Sequence, residues 1–287
     1  MTARALKDKA IVITGAASGI GEALALGLSK RGARLLLADI DVEGLDRVMA
    51  AVQAQGTPCY SLVTDTGSEA AITALAQEAM SQLGGADMVI NNAGVGLMAP
   101  VAQLHTADAQ WLMNINFWGV VHGCRAFIPQ LSHRPDALLV NISSIFAMVS
   151  MPTQSIYNAS KAAVRGFSDA LREELRTPGI DVLCVHPGGI RTNIANAARI
   201  TDVTMVADSD QEMRDAFTRL ARTSPAQAAE VIIRAMQARK TRVLIGGDAK
   251  FLDLLFRLFP TRASHWFSLL GQRLRQHEKA KALRAKP

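Results

Sequence analysis

Short apolar runs and amphipathic segments alternate along most of this chain. The apolar runs are bounded by glycine or polar residues and lie at 10–14, 33–38, 57–63, 87–90, 137–142, 180–185 and 242–245. Runs of this length are typical of strands that are buried on both faces of a parallel sheet. Between them, apolar positions recur three and four residues apart at 22–31, 42–55, 68–83, 107–131, 154–177 and 225–238. Repeated strand–helix units predict an α/β domain, with a doubly wound parallel sheet flanked by helices.

Two stretches depart from this alternation. Residues 189–223 follow the sixth predicted strand without a strand pattern, and we interpret them as a lid over a substrate. Residues 248–287 interleave Phe, Leu and Trp with basic residues, which predicts two amphipathic helices broken at Pro260. The sequence therefore predicts one domain at 1–247 and a basic, amphipathic helical tail at 248–287.

The net charge of +6 belongs to the tail, because residues 248–287 hold nine Lys and Arg against three Asp and Glu. The domain is balanced, so we expect no nucleic-acid partner. Cys59, Cys124 and Cys184 are widely spaced among apolar neighbours, which indicates reduced thiols in a cytosolic protein. Neither a signal peptide nor a run of 18 apolar residues is evident, so we expect a cytoplasmic protein. The histidines are dispersed, and no catalytic metal is expected.

Glycines separate the first predicted strand from the first predicted helix. Gly15, Gly19 and Gly21 lie between the strand at 10–14 and the helix at 22–31. Glycines in this position let the backbone turn tightly and approach a pyrophosphate, which binds at the free N-terminus of the helix. The sequence therefore predicts a Rossmann-type dinucleotide site.

Asp39 ends the second predicted strand, about twenty residues beyond the glycine loop. A carboxylate there suits the two hydroxyls of an adenosine ribose and would repel a 2′-phosphate. Ser18 and Ile40 are uncharged, so no cation stands beside it in the sequence. We therefore predict NAD as the cofactor rather than NADP. The alternative is that Asp39 only caps the following helix.

Tyr157 and Lys161 are four residues apart and lie on one face of a predicted helix. A neighbouring ammonium should stabilise the phenolate and lower the pKa of Tyr157 toward neutrality, as proton transfer requires. Ser144 follows the strand at 137–142 and could offer its hydroxyl to the same substrate oxygen. Asn116 lies in the long helical segment, where a buried asparagine that kinks the helix could hold a water.

Further polar residues follow other predicted strands. Asp65 follows the third strand and could reach an adenine amino group, and Asn92 follows the fourth. Thr192 follows the sixth and could bond a carboxamide. Ligands of doubly wound sheets bind at the carboxyl ends of strands, where all these residues fall.

Over residues 6–247 the chain resembles the short-chain dehydrogenase/reductase superfamily. Residues 14–21 fit its T-G-x-x-x-G-x-G loop, 91–94 its N-N-A-G element, 157–161 its Y-x-x-x-K motif and 187–192 its P-G-x-x-x-T motif. The resemblance implies that Asn116, Ser144, Tyr157 and Lys161 are catalytic. The cofactor-binding residues that it implies, together with those predicted above, are Gly15, Ser18, Gly19, Ile20, Gly21, Asp39, Asp65, Thr66, Asn92, Ala93, Gly94, Tyr157, Lys161, Pro187, Gly188, Ile190 and Thr192.

The resemblance also implies a mechanism. A nicotinamide exchanges hydride with the substrate carbon, while Tyr157 moves the proton at the oxygen and Ser144 holds that oxygen. Lys161 would lower the pKa of the tyrosine and bond the nicotinamide ribose, and Asn116 would position a water for proton relay. Ser143 competes with Ser144, but strand alternation and the family spacing of thirteen residues to the tyrosine favour Ser144.

The substrate is predicted from the candidate pocket segments, which are apolar and rich in methionine. The residues concerned are Val95, Leu97, Met98, Ile145, Phe146, Met148, Met151, Ile194 and Met205. They favour a hydrophobic secondary alcohol or its ketone, although Arg191 leaves an acidic or acyl-carrier substrate open. The alternatives are an NADPH-dependent 3-oxoacyl reductase and, from another class, an NAD(H)-sensing, membrane-associated regulatory protein.

The assembly and the tail complete the expectations. We expect a homodimer or homotetramer. Packing of the tail at 248–287 on the domain or on another subunit is favoured over peripheral membrane contact, which basic amphipathic helices with Trp and Phe can also make.

Overall fold

A computed structural model describes residues 2–177, 179–194, 196–201, 209, 211–212, 214–215, 218, 221–263 and 266. Its main sheet contains, in chain order, β1 (Ala10–Thr14), β2 (Arg34–Asp39), β3 (Cys59–Val63), β4 (Met88–Asn91), β6 (Leu138–Ile142), β7 (Asp181–Pro187) and β9 (Arg242–Ile245). All neighbouring strands are parallel, in the order β3-β2-β1-β4-β6-β7-β9. The predicted fold class is therefore confirmed.

Helices cover both faces of this sheet. They are α1 (Gly19–Ser29), α2 (Val42–Gln53), α3 (Glu69–Leu83), α4 (Thr106–Met113), α5 (Gly119–Leu131), α6 (Ser155–Glu174), α7 (Pro225–Gln237) and α8 (Gly247–Leu258). Side chains alternate across each strand, so Ile11 and Ile13 pack with α1, α2 and α7, whereas Ala10 and Val12 pack with α3, α5 and α6. Among the described residues, no helix is long and apolar enough to cross a membrane.

The order of the strands reverses between β1 and β4. The chain moves outward from β1 to β2 and β3, then returns to add β4, β6, β7 and β9 on the other side of β1. Connections leave this point in opposite directions and open a crevice at the carboxyl ends of β1 and β4. The glycine loop and residues 91–94 both begin there.

The helix predicted over 107–131 is one continuous stretch with an irregular centre. Between α4 and α5, Asn114–Trp118 adopts a π-helix. A single π-helical turn inserts extra backbone into a helix and is common at functional sites. Asn116 lies at the centre of this segment and is fully buried.

A small second sheet lies beside the crevice. β5 (Leu97–Met98) pairs in parallel with β8 (Arg199–Ile200), which belongs to the predicted lid. The Arg199 guanidinium lies 3.7 Å from the centre of the Trp111 ring and pairs with Asp108 at 2.6 Å. These contacts hold β8 on α4. Met205 and part of the helical segment predicted within the lid lie outside the described residues.

The tail begins as a helix that packs on the domain. Ala249 of α8 is buried against Ile145 and Val149, and Asp253 is buried and pairs with Arg242 at 2.6 Å. α8 ends at Leu258, before Pro260. Most of the second helix predicted for the tail lies outside the described residues.

Candidate active site

A cavity of about 520 Å³ opens at the carboxyl edge of the sheet. It runs from the ends of β2 and β3, where Asp39 and Asp65 lie, to the far side of β6 and β7. All the predicted cofactor-binding residues line it except Gly21. The topology therefore brings these predicted residues together from six separate segments of the chain.

The glycine loop forms one wall of the cavity. Gly15 and Gly19 adopt left-handed backbone angles, with φ of 64° and 57°. A Cβ on Gly15 would lie 2.7 Å from the Cα of Ala93, and one on Gly21 would lie 2.0 Å from the carbonyl oxygen of Gly15. Gly21 therefore acts in close packing beneath the loop, which explains its absence from the cavity wall.

The N-terminus of α1 faces the cavity. Ser18 is the N-cap residue, and its side chain makes no capping hydrogen bond. Free backbone N–H groups at a helix N-terminus bind anions such as a pyrophosphate. A Cβ on Gly19 would lie 3.2 Å from Cγ2 of Thr192, so a side chain there would intrude between the two walls of the cavity. The glycine loop thus presents bare backbone and an uncapped helix N-terminus to the cavity.

The side chain of Asn92 is hydrogen-bonded to the backbone of the glycine loop. Its Nδ2 donates to the carbonyl oxygens of Thr14 and Gly15, both at 2.9 Å. Thr14 Oγ1 in turn accepts hydrogen bonds from the backbone N–H groups of Asn92 and Ala93, at 3.0 and 3.2 Å. Thr14 was not among the predicted site residues, although it is the first residue of the motif. Its contacts link the ends of β1 and β4.

Asp39 points back toward the glycine loop. Its Oδ2 accepts a hydrogen bond from the N–H of Ala17 at 3.0 Å, and its Oδ1 accepts from the N–H of Ile40 at 2.7 Å. Asp41, not Asp39, caps α2, through the N–H of Gly44 at 3.0 Å. The alternative in which Asp39 serves as the helix cap is therefore wrong. Asp39 keeps a fixed carboxylate at the cavity wall.

Ser144 and Tyr157 meet within the cavity. Both side chains line its wall, and the Ser144 hydroxyl opposes the rise in the pKa of the Tyr157 phenol that burial causes. Ser143 points the other way, and its Oγ donates to the carbonyl oxygen of Lys161 at 2.8 Å. Strand alternation separates the two serines as predicted, and Ser144 is the one beside the tyrosine. The Tyr157 ring packs edge-on against Phe146, with centroids 6.2 Å apart.

The predicted effect of the lysine on the tyrosine is not seen. Burial raises the pKa of Tyr157 above its ordinary value, and the hydrogen bond from Ser144 lowers it only in part. Lys161 Nζ lies 5.9 Å from the centre of the tyrosine ring. Its ammonium donates instead to the carbonyl oxygen of Ile142 at 3.2 Å. In this state the cost of desolvating the phenolate outweighs any attraction by the lysine.

Lys161 is itself strongly affected by its surroundings. Only 3% of its surface is exposed, and burial lowers its pKa from 10.5 to about 8. A buried ammonium with a single carbonyl partner among the described residues is poorly solvated. Hydrogen bonds to a polar ligand would therefore stabilise this ammonium.

Asn116 reaches the same place from the π-helical segment. Its Oδ1 accepts from the N–H of Val95 at 2.8 Å, and its Nδ2 donates to the Val95 carbonyl oxygen at 3.0 Å. A Cβ on Gly94 would lie 3.3 Å from both Asn116 Oδ1 and Lys161 Nζ. Asn116 therefore stands beside Lys161 across Gly94, but it does not line the cavity.

His186 was not predicted as a site residue, yet it contacts one. Its Nδ1 lies 3.3 Å from the carbonyl oxygen of Ser144, and the ring is 1% exposed. Burial, reinforced by Arg242, lowers the pKa of His186 to about 4. The imidazole is therefore neutral at pH 7, and Nδ1 carries the proton that it donates to Ser144. This bond fixes the backbone of the serine.

The end of the cavity beyond Tyr157 is largely apolar. It is walled by Val95, Leu97, Met98, Ile145, Phe146, Met151, Ile194, Ala197, Ala198 and Leu252, with Gln154 and Asn193 as polar members. Met148 of the predicted set packs in the cluster beneath α8 and does not line the cavity. Leu252 and Asp248 come from α8 and were not predicted.

Comparison with known proteins agrees with this geometry. The chain matches the family described as short chain dehydrogenase over residues 9–203. It is 40% identical over 256 residues to SadH of Mycobacterium tuberculosis, named as an oxidoreductase, covering 88% of this chain and 91% of that one. It is 31% identical over 283 residues to dehydrogenase/reductase SDR family member 7B of Xenopus tropicalis, covering 96% and 89%. A short-chain dehydrogenase/reductase from Burkholderia phymatum in complex with NAD superposes with a TM-score of 0.81 at 29% identity, covering 88% and 94%.

Proposed function

Because this chain belongs to the short-chain dehydrogenase/reductase superfamily, we propose that it is an NAD(H)-dependent oxidoreductase that interconverts a hydrophobic secondary alcohol and its ketone. The observation that carries this proposal is that Ser144 and Tyr157 line the cavity together with buried Lys161, where the apolar part of the cavity begins. A polar pair at an otherwise apolar wall suits one carbonyl or hydroxyl oxygen.

The residues of the cavity fit a dinucleotide. The uncapped N-terminus of α1 and the bare backbone of Gly15 and Gly19 would hold the pyrophosphate, and Asp39 would bind the adenosine ribose. Asp65 and Thr66 would lie at the adenine, while Thr192 would bond the carboxamide. A bound nicotinamide supplies or accepts the hydride at the substrate carbon.

The chain's own residues handle the proton. Tyr157 is protonated at neutral pH because burial raises its pKa, so it is ready to donate to a forming alkoxide. The Ser144 hydroxyl would hold the same oxygen and so fix its distance from the phenol. A ribose would give the Lys161 ammonium further acceptors beside the Ile142 carbonyl oxygen, and the charge of the ammonium would favour the phenolate left behind. Asn116, which lies beside Lys161 across Gly94, would position a water that passes protons to solvent.

The substrate class follows from the cavity wall. Nearly all side chains beyond Tyr157 are apolar, and the methionines can adapt to an irregular ligand. A polyol would leave its hydroxyl groups unpaired there, which costs free energy for each group. We therefore infer a bulky hydrophobic substrate, such as a steroid, a fatty-chain ketone or an aromatic carbonyl compound.

A direct experiment tests this function. NADH and NADPH binding would be measured by the fluorescence of the reduced nicotinamide. Oxidation of a panel of hydrophobic secondary alcohols would then be compared with that of short polyols. We expect tight NADH binding and turnover confined to the hydrophobic set. Binding of NADH without turnover of any carbonyl compound would support the sensing alternative, and activity on polyols alone would contradict the substrate class.

Asp39 is expected to determine the choice between NAD and NADP. Its replacement by alanine removes the acceptor for the ribose hydroxyls and the charge that repels a 2′-phosphate. The ratio of kcat/KM for NAD over NADP should fall by about 10²-fold, since a hydrogen bond to a charged group is worth about 1.5–3 kcal/mol. Steady-state kinetics with both cofactors measures it.

Arg47 is the cation near Asp39 that could bind the 2′-phosphate of NADP and so reverse the expected preference for NAD. Its guanidinium donates to the Ala17 carbonyl oxygen at 2.8 Å, near Asp39, but it is engaged with Glu22. If wild-type protein prefers NADPH and Arg47→Ala abolishes that preference, then Arg47 reads a 2′-phosphate and the 3-oxoacyl reductase alternative gains support. Asp46→Ala, which removes a different carboxylate from the same helix as Arg47, is the matched control for Asp39→Ala.

We propose further that the chain is a cytoplasmic homodimer or homotetramer. Three buried, free cysteines support a reducing compartment. One face of α8 exposes Phe251, Leu254 and Leu258, spaced three and four residues apart. A continuous apolar stripe of this kind is typical of a contact surface. We propose that a second copy covers it.

Replacing Phe251, Leu254 and Leu258 together by serine should lower the oligomeric mass and leave NADH binding intact. Light scattering coupled to gel filtration measures the mass. An unchanged mass, together with lost binding to vesicles of phosphatidylcholine and phosphatidylserine, would favour the peripheral membrane contact instead.

A further inference from the structure

α8 begins at the wall of the cavity. Asp248 lies in its first turn, and its Oδ2 accepts a hydrogen bond from the N–H of Gly189 at 2.7 Å. Both Asp248 and Leu252, one turn later, line the cavity. The segment that the sequence predicts as a separate tail thus contributes two side chains to the site.

Two glycines make room for the carboxylate. A Cβ on Gly188 would lie 2.3 Å from Asp248 Oδ2, and a Cβ on Gly246 would lie 2.2 Å from Oδ1. Neither distance is compatible with a side chain. Gly246 also has a φ of 98°, which glycine adopts without strain. The carboxylate therefore fits between two backbones that carry no side chains.

The contact fixes the loop that connects β7 to the lid. Within this loop, Gly188 N–H donates to the Ile245 carbonyl oxygen at 2.9 Å, and Arg191 N–H donates to that of Thr223 at 2.9 Å. Asp248 supplies the side-chain hydrogen bond between these two backbone contacts. Thr192 at the end of the loop faces Gly19 across the cavity. The position of the loop therefore sets the width of the cleft between the glycine loop and Thr192.

α8 is held firmly enough to act as such a support. Ala249 is fully buried, and Asp253 pairs with Arg242 at 2.6 Å and with Arg257 at 3.2 Å. A carboxylate in the first turn of a helix is also favoured by the helix dipole. Leu252 projects from this anchored helix into the apolar end of the cavity, together with Phe146.

We infer that α8 contributes two functional side chains to the active site. Asp248 is a positioning residue that holds the 187–192 loop at the width required by a dinucleotide, and Leu252 is a wall that selects the substrate by size. The inference rests on the proposed oxidoreductase function.

The Asp248 contact is tested by cofactor affinity. Asp248→Ala should raise the Kd for NADH about tenfold, because the loop loses its side-chain anchor. Asp248→Asn keeps an acceptor oxygen and should stay within about threefold of wild type. Asp46→Ala, a carboxylate on α2 outside the cavity wall, serves as control. Kd is measured by nicotinamide fluorescence well below the unfolding temperature of each variant, so a loss of stability alone leaves it unchanged.

The outcomes separate the two levels of the proposal. A wild-type protein that binds neither dinucleotide would overturn both the proposed function and this inference. If wild type binds NADH and Asp248→Ala binds it equally well, only the positioning role is refuted. An equal loss in Asp248→Asn and Asp248→Ala would also refute it, because the acceptor would then be irrelevant.

The Leu252 wall is tested by substrate selection. Leu252→Ala should change the ratio of kcat/KM between a bulky and a small secondary alcohol at least about fivefold, with the Kd for NADH unchanged. Met80→Ala is the control, because Met80 lies on α3, does not line the cavity and is 53% exposed. Identical ratios in both variants would refute the wall.

Discussion

Replacing Tyr157 by phenylalanine is expected to lower kcat by about 10²- to 10⁴-fold, the range attributed to general acid–base catalysis. The substitution removes the phenolic oxygen and keeps the ring, whose edge contact with Phe146 should persist. The hydride donor, the apolar wall and the glycine loop are untouched. NADH binding should therefore stay within a few-fold of wild type.

Tyr60→Phe is the matched control, since Tyr60 is the other tyrosine of the chain and lies on β3. Single-turnover reduction of a ketone separates the chemical step from binding and product release. Ser144→Ala should also lower kcat, because the substrate oxygen loses its second partner. A Tyr157→Phe enzyme with wild-type turnover would show that the proton comes from elsewhere.

The state of the tyrosine also predicts a pH dependence. Burial raises its pKa, so the phenol is the dominant form at neutral pH and the phenolate forms only on the alkaline side. Reduction of a ketone requires the phenol, and oxidation of an alcohol requires the phenolate. The rate of oxidation should therefore rise with pH through the alkaline range, and this rise should vanish in Tyr157→Phe.

The parts of the site that the sequence predicts well are encoded in short spacings. The loop from Gly15 to Gly21 is read from three glycines between a strand and a helix, and Tyr157 and Lys161 are read from one helical turn. The separation of Ser143 from Ser144 follows from strand alternation alone. Each of these patterns needs only neighbours along the chain.

The parts that the sequence could not give depend on distant contacts. Asp248 is 59 residues from Gly189, and nothing in its local pattern distinguishes it from an ordinary first-turn carboxylate. The raised pKa of Tyr157 results from burial by several elements, which no i, i+4 pairing reveals. The π-helix at Asn114–Trp118 is likewise invisible in periodicity, since its extra residue shifts the register only locally.

Replacing Lys161 by methionine is expected to raise the stability of the protein and to lower its activity. Its folded pKa of about 8 lies below the ordinary 10.5 because burial disfavours the charged form. The unfolded chain therefore binds the proton more tightly, and the native state is penalised by about 3 kcal/mol below pH 8, at about 1.4 kcal/mol per pKa unit. Lys161→Met removes this penalty but loses the hydrogen bond to Ile142, worth about 1 kcal/mol.

The net expectation for Lys161→Met is a gain of about 2 kcal/mol in the free energy of unfolding at pH 7, with kcat/KM at least about 10²-fold lower. Urea unfolding of the cofactor-free protein at pH 7 and pH 9.5 measures the first quantity. The wild type should become more stable between pH 8 and 10.5, because the folded lysine has lost its proton in this range while the unfolded lysine still holds it, so the advantage of the variant should shrink at pH 9.5. Lys30→Met, at an exposed position after α1, should show neither effect.

A Lys161→Met protein that is less stable at pH 7 would mean that the buried ammonium is well solvated in the native state. It would then have little to gain from a ribose.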